Sequence, residues 1–148
     1  MDSLFLLWAW LAIGLAALWV GIWEGMVAKK SLEAMGKNPD LSGFFLLLTI
    51  LWIALVESAA IYGFIVALNI VNWWAGIEAW QAIAAGIAVG LAGLGAGLWE
   101  GRLVASAMDA VLRNPENKSK IMGYTILFVA LVESVAIYGF ITALNILG

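Results

Sequence analysis

The sequence contains neither cysteine nor histidine. The first absence excludes disulfides, thiolate nucleophiles and thiolate metal sites. The second removes the commonest general base, the usual zinc ligand and the side chain that titrates near neutral pH. Charge is also scarce, at 11% of residues, against about 25% in ordinary soluble domains. Seven Lys and Arg give no nucleic-acid footprint. No glycine-rich loop ending in Gly-Lys-Ser/Thr is present to hold nucleotide phosphates. Only two prolines interrupt 148 residues, so long stretches are free to be helical. What is abundant is apolar: 65% of residues are hydrophobic and the mean hydropathy is +1.04. A soluble surface needs far more polarity than this.

Four apolar runs follow one another: Leu4 to Ala28, Phe44 to Val71, Ala79 to Ala107 and Ile121 to Leu147. Each exceeds the roughly 20 residues that a helix needs to cross a bilayer. The ten-residue alternation of a membrane β-barrel is missing. The opening Met1-Asp2-Ser3 lacks the basic start of a signal peptide, and the run behind it is too long for one. These features predict an all-α membrane protein of four transmembrane helices.

All seven basic residues lie in two segments: Lys29, Lys30 and Lys37, then Arg102, Arg113, Lys118 and Lys120. By the positive-inside rule the loops at 29–42 and 102–120 are cytoplasmic, and both termini and the linker around Asn72 to Glu78 lie outside. Trp8, Trp10, Trp73, Trp74 and Trp80 gather at that outer end, as an interfacial aromatic belt would, or as plain lipid-facing bulk.

The chain repeats itself with an offset of 76 residues and no gap. The segment Ala54 to Ile70 (ALVESAAIYGFIVALNI) returns as Ala130 to Ile146 (ALVESVAIYGFITALNI), identical at 15 of 17 positions. Gly21-Ile22-Trp23-Glu24-Gly25 returns as Gly97-Leu98-Trp99-Glu100-Gly101, and Lys37-Asn38-Pro39-Asp40 as Arg113-Asn114-Pro115-Glu116. The expected division is therefore two helical hairpins, residues 1–74 and 75–148. Each holds an even number of spans, so the copies cross in the same sense and are related by an axis along the membrane normal. That geometry suits a ring of hairpins and argues against an inverted-repeat transporter.

Glu24 and Glu57 lie on either side of Pro39, and Glu100 and Glu133 on either side of Pro115. At 1.5 Å per residue each carboxylate sits roughly 23–27 Å from its turn, deep in the membrane. A charge there costs a few kcal/mol, so four at repeat-equivalent places need a function. Reversible binding of Na⁺ or H⁺ supplies one; a buried, protonated glutamate that merely joins helices is the plainer alternative. Ser58 and Ser134 follow the glutamates directly, and Tyr62 and Tyr138 stand one turn beyond each serine, on the same face. Carboxylates, a serine hydroxyl and a backbone carbonyl make an oxygen set suited to a hard cation. Two carboxylates that approach closely do not readily both ionise, so such a pair would share a proton. The site would be neutral when loaded and charged when empty. That contrast lets loaded sites turn through lipid and stops empty ones at a polar or basic partner.

Gly86, Gly90, Gly93, Gly95 and Gly97 give the third helix a small-residue face for close packing. The first helix has Trp10, Ala17 and Trp19 where the third has Gly86, Gly93 and Gly95, so the two copies cannot pack identically.

These residues resemble the proteolipid of rotary ATPases, the c subunit of F-type synthases and its duplicated V-type (K) counterpart. The resemblance runs over nearly the whole chain. It rests on the repeated Val-Glu-Ser-x-x-Ile-Tyr-Gly-Phe segments and the basic-Asn-Pro turns. It implies a homo-oligomeric rotor ring that hydrolyses no ATP itself, binds no nucleotide and carries Na⁺ (or H⁺). Glu57 and Glu133 would bear the ion. Glu24 and Glu100 would complete the sites, with Ser58, Ser134, Tyr62 and Tyr138 as ligands or supports and the Leu55 and Leu131 carbonyls as further ligands. It also implies a stator subunit with a basic residue, central-stalk subunits docked on the cytoplasmic loops, contact with membrane lipid, and a prokaryotic plasma membrane as location. The sequence departs from Na⁺-binding rings at Ala59 and Val135, where a water-holding threonine can stand. Two carboxylates per chain, rather than one, imply two ions per chain. A stand-alone cation exchanger built on the same carboxylate pairs is the alternative function, and a structural or pore-forming assembly a further one.

Overall fold

The computed structural model describes residues 3–148, with side chains from Phe5 onward. Met1 and Asp2, on which part of the signal-peptide reading rests, lie outside the described residues. Five helices follow one another: α1 (Ser3–Lys37), α2 (Ser42–Val56), α3 (Ser58–Trp73), α4 (Ala79–Arg113) and α5 (Lys118–Leu147). No strand occurs among the described residues. Four spans, Phe5–Lys37, Pro39–Trp73, Ala79–Arg113 and Pro115–Leu147, are long and apolar enough to cross a membrane. The protein is a multi-pass integral membrane protein. A 35-residue helix such as α1 reaches about 52 Å, well beyond a hydrocarbon core of about 30 Å. The surplus carries the basic residues.

The two hairpin turns are built alike. Asn38 (φ −140°, ψ 87°) and Asn114 (φ −143°, ψ 77°) leave the helical region, as a residue before proline is biased to do. Pro39 and Pro115 then open a short 3₁₀ turn, where the missing N–H goes unneeded. In the first turn the Ser42 hydroxyl donates to the Pro39 carbonyl at 2.6 Å. The linker between the hairpins ends at Glu78, whose backbone N–H donates to Gln81 Oε1 at 2.7 Å. Gln81 Nε2 in turn donates to the Ile146 carbonyl at 2.9 Å, tying the start of α4 to the end of α5.

Helices α1 and α4 pack along their length, with α2–α3 lying on α1 and α5 on α4, and α3 touching α5. Lipid offers no hydrophobic drive for this association, so close contact of small residues does the joining. Each hairpin closes on the same repeated glycine. A Cβ at Gly63 would stand 2.7 Å from the Ala12 carbonyl, and one at Gly139 would stand 2.9 Å from the Ala88 carbonyl. Between hairpins, Gly86, Gly90, Gly93 and Gly101 of α4 take the backbone of Trp8 and the side chains of Leu15, Ala16 and Trp23. At the charged end Lys30 Nζ meets Asp109 Oδ1 at 2.8 Å, linking α1 to α4.

The structure departs from four unbroken spans at one point. The second span is divided at Glu57, while the matching α5 runs unbroken through Glu133. Flanking sequence is almost the same in both copies. Glu133 is held against α3 and α4, whereas Glu57 faces outward.

Candidate functional site

Glu133 lies midway along α5, where α3 and α4 both pack on it. Ser58 Oγ is 2.5 Å from Glu133 Oε1 and donates to the Leu55 carbonyl at 2.7 Å. A hydroxyl has one proton to give. The Leu55 carbonyl and the Glu133 carboxyl therefore share this donor. The Tyr62 hydroxyl lies beside both Glu133 and Ser58. Its ring stacks on Phe140 of α5, centroids 4.9 Å apart at 18°, which fixes the side chain against the carboxylate.

Glu100 of α4 approaches Glu133 from the other side and is fully buried. Both Glu100 carboxyl oxygens and Glu133 Oε2 are buried without a hydrogen-bond partner. Unpaired buried oxygens are costly, and two adjacent carboxylates do not readily both carry charge. A shared proton or a hard cation satisfies both constraints at once.

The set is drawn from both hairpins: Ser58, Tyr62 and the Leu55 carbonyl from the first, Glu100 and Glu133 from the second. The structure does not bring Ser58 and Tyr62 to Glu57, the glutamate beside them in sequence. Adjacent helical residues point about 100° apart, so Glu57 and Ser58 face different neighbours.

The repeat-equivalent residues stand apart. Glu24 feels the charge of Glu57 across the first hairpin, and Glu24 Oε1 is buried and unpaired. Glu57 itself is exposed. Ser134 donates to the Leu131 carbonyl at 2.7 Å and reaches no carboxylate. Tyr138 is 65% exposed. The chain thus holds one assembled set and two separated halves of another, on opposite flanks.

The family profile of the ATP synthase C subunit matches the chain twice, at residues 7–70 and 83–146. The chain belongs to the ATP synthase C-subunit family. The chloroplastic ATP synthase c subunit of Antithamnion sp. is 45% identical over 71 residues, covering 48% of this chain and 87% of that protein. The same figures describe its counterpart in Gracilaria tenuistipitata var. liui. The K subunit of the A-type ATP synthase of Methanocaldococcus jannaschii is 32% identical over 139 residues, 94% of this chain and 59% of that protein. The chloroplastic relatives match one hairpin's length and the A-type relative matches both, as a duplicated chain requires. Membership makes this chain a membrane component of an ATP synthase rather than its nucleotide-processing part.

Within this member of the family, Phe140 and Arg102 play parts that spacing alone did not single out. Phe140 carries Tyr62, and the signal was available in the repeated Ile-Tyr-Gly-Phe segment. Arg102 stands two residues after Glu100, yet its guanidinium lies over the rings of Trp23 and Trp99, 5.3 and 5.2 Å from their centroids. Two helical residues are about 200° apart, so Arg102 faces away from the carboxylates and is stacked rather than paired with them.

Proposed function

We propose that this protein carries Na⁺ (or H⁺) in the membrane rotor ring of an ATP synthase or rotary ATPase, loading and releasing one cation at each of Glu57 and Glu133. The observation that carries the reading is the Glu100–Glu133 pair, with three buried oxygens that no donor satisfies and Ser58 and Tyr62 closing over it. Glu133 would hold the transported ion, Glu100 would share it or the remaining proton, Ser58 and the Leu55 carbonyl would add oxygens, and Tyr62 would keep the carboxylate in place. The second site would form between copies: Glu24 and Glu57 of one chain would take Ser134, Tyr138 and the Leu131 carbonyl of the next, from the flanks that meet. A ring of identical copies therefore yields two ions per chain. Na⁺ is the favoured cargo because the set is rich in oxygen ligands.

The remaining partners follow from the same reading. A stator subunit would present a basic residue to Glu57 and Glu133 in turn. Central-stalk subunits would dock on the loops at 29–42 and 102–120, placed on the cytoplasmic face of a prokaryotic plasma membrane with both termini outside. Carbodiimide labelling of the purified ring across pH, read by mass spectrometry, tests the proposal. The expected result is labelling of Glu57 and Glu133 that Na⁺ suppresses. Labelling indifferent to Na⁺ and lost only with rising pH identifies the cargo as H⁺. No labelling at either glutamate refutes an exchangeable site.

A further inference from the structure

We infer that the seam between neighbouring copies is an uneven version of the seam inside the chain: it closes tightly at Trp99 on Gly25 and Tyr138 on Phe64, and Trp10 wedges it open at its outer end. The inference rests on the ring of identical copies proposed above and concerns how those copies touch.

The template is the internal seam. There Trp23 of α1 lies against Gly101 of α4, so closely that a Cβ on Gly101 would stand 2.9 Å from the Trp23 Cβ. Tyr62 of α3 stacks on Phe140 of α5. Adding or subtracting the 76-residue offset turns these pairs into Trp99 with Gly25 and Tyr138 with Phe64. All four of those residues are uncovered. Trp99 is 59% exposed, Tyr138 and Phe64 are exposed too, and nothing lies within 4 Å of the position a Gly25 Cβ would take. The knob and the ring on one flank complement the hole and the ring on the other flank of a second copy. The groove of about 380 Å³ beside Trp99, lined by Leu103, Ser106, Phe128 and Val132, corresponds to the surface of the first hairpin at Val27, Lys30, Trp52 and Val56, where Val27, Trp52 and Val56 are buried.

The template fails at the outer end. Inside the chain Gly86 lets α4 approach α1 until its Cβ position is 3.2 Å from the Trp8 carbonyl. The residue that must do the same between copies is Trp10, 72% exposed. An indole does not fit where a single Cβ is already tight, so the two backbones separate there. Lower down, Gly14, Gly21 and Gly25 keep the small surface of Gly90, Gly97 and Gly101. The seam between copies is therefore close at the level of the carboxylates and open toward the tryptophan-rich end.

The absence of native cysteine makes the test clean. By the template, Gly25→Cys with Trp99→Cys and Gly14→Cys with Leu91→Cys both place Cβ atoms near disulfide distance across the seam. In the assembled ring, mild oxidation is expected to join the first pair into a ladder of multimers. The second pair should join at least fivefold less, and adding Trp10→Gly should raise it to match the first. Equal joining of both pairs without Trp10→Gly overturns the wedge. No joining at Gly25–Trp99 in rings shown intact by native mass spectrometry overturns the seam while leaving the ring standing. Absence of any ring from the unmodified chain removes the proposed function and this inference together. If the cysteine variants do not accumulate, the helix spacing in an electron-microscopy map of the unmodified ring decides the matter. Spacing that alternates at the level of residue 10 but not of residue 25 supports the seam, and uniform spacing overturns it.

Discussion

The two halves of the chain hold the same chemical groups and arrange them differently. Around Glu133 the set is assembled, with Glu100 buried beside it and Ser58 and Tyr62 supplied by the other hairpin. Around Glu57 it is not: Glu24 is near, but Ser134 and Tyr138 stand on the far flank of the molecule. The sequence at the two places is almost identical. What differs is the presence of a neighbouring hairpin. Glu133 finds a serine and a tyrosine on the other hairpin of its own chain, and on the proposed reading Glu57 would take its pair from the next copy. Glu57 is also where the second span divides, whereas α5 runs unbroken through Glu133.

Breaking the contrast outright should have the largest effect. Replacing both carriers, Glu57→Gln and Glu133→Gln, should abolish ion-coupled activity of the assembled enzyme, measured as ion uptake into liposomes. Either single change should abolish it as well if the ring must pass every site, and survival of activity with Glu133→Gln alone would show that the assembled site is dispensable. Packing comes next. Gly139→Val forces a side chain onto the Ala88 backbone, and overpacking of this kind costs about 1–3 kcal/mol or more. The same substitution at Gly21 meets nothing in the isolated chain. Thermal unfolding of the monomeric chain in detergent should separate the two variants, and ring yield should reveal the effect of Gly21→Val.

A smaller effect sharpens another asymmetry. Thr49 donates to Ser31 at 2.5 Å across the first hairpin, whereas Thr125 bonds only within its own helix because Ala107 replaces the serine. Ser31→Ala should lower stability by about 0.6 kcal/mol, an average value for a membrane hydrogen bond. Ala107→Ser should recover a similar amount in the second hairpin, read from the same unfolding curves. The smallest expected change is at the charged end. Asp109→Asn removes the partner of Lys30 in a partly exposed pair, which is worth less than about 1 kcal/mol.

Much of this was legible in the sequence. Apolar runs announce four spans, the 76-residue offset announces two parallel hairpins, and the Asn-Pro pairs mark turns that the structure builds alike. Ser58 and Tyr62 stand four residues apart and share a face, which spacing alone makes readable. The partner across that face was not readable. Ser58 lies next to Glu57 along the chain but about 100° from it around the helix. Only the side-by-side packing of α3 and α5 shows that its carboxylate is Glu133. The separation of Arg102 from Glu100 has the same origin, since two residues along a helix reverse the face. The division at Glu57 leaves no mark in the sequence, which is almost the same around Glu133, where α5 is unbroken.

On the proposed reading each ion site is shared between adjoining hairpins, so that Ser58 serves Glu133 and Ser134 serves Glu57. The most direct measurement is Na⁺ protection of each glutamate against carbodiimide in rings carrying Ser58→Ala or Ser134→Ala. A lost hydrogen bond to a charged group weakens a site by about 1.5–3 kcal/mol, which is at least tenfold in the Na⁺ concentration that halves labelling. Ser58→Ala should shift that concentration at Glu133 and leave Glu57 unchanged, and Ser134→Ala should do the reverse. If Ser58→Ala instead shifts Glu57 alone, each hairpin builds its own site, and the sharing seen between α3 and α5 does not govern ion binding.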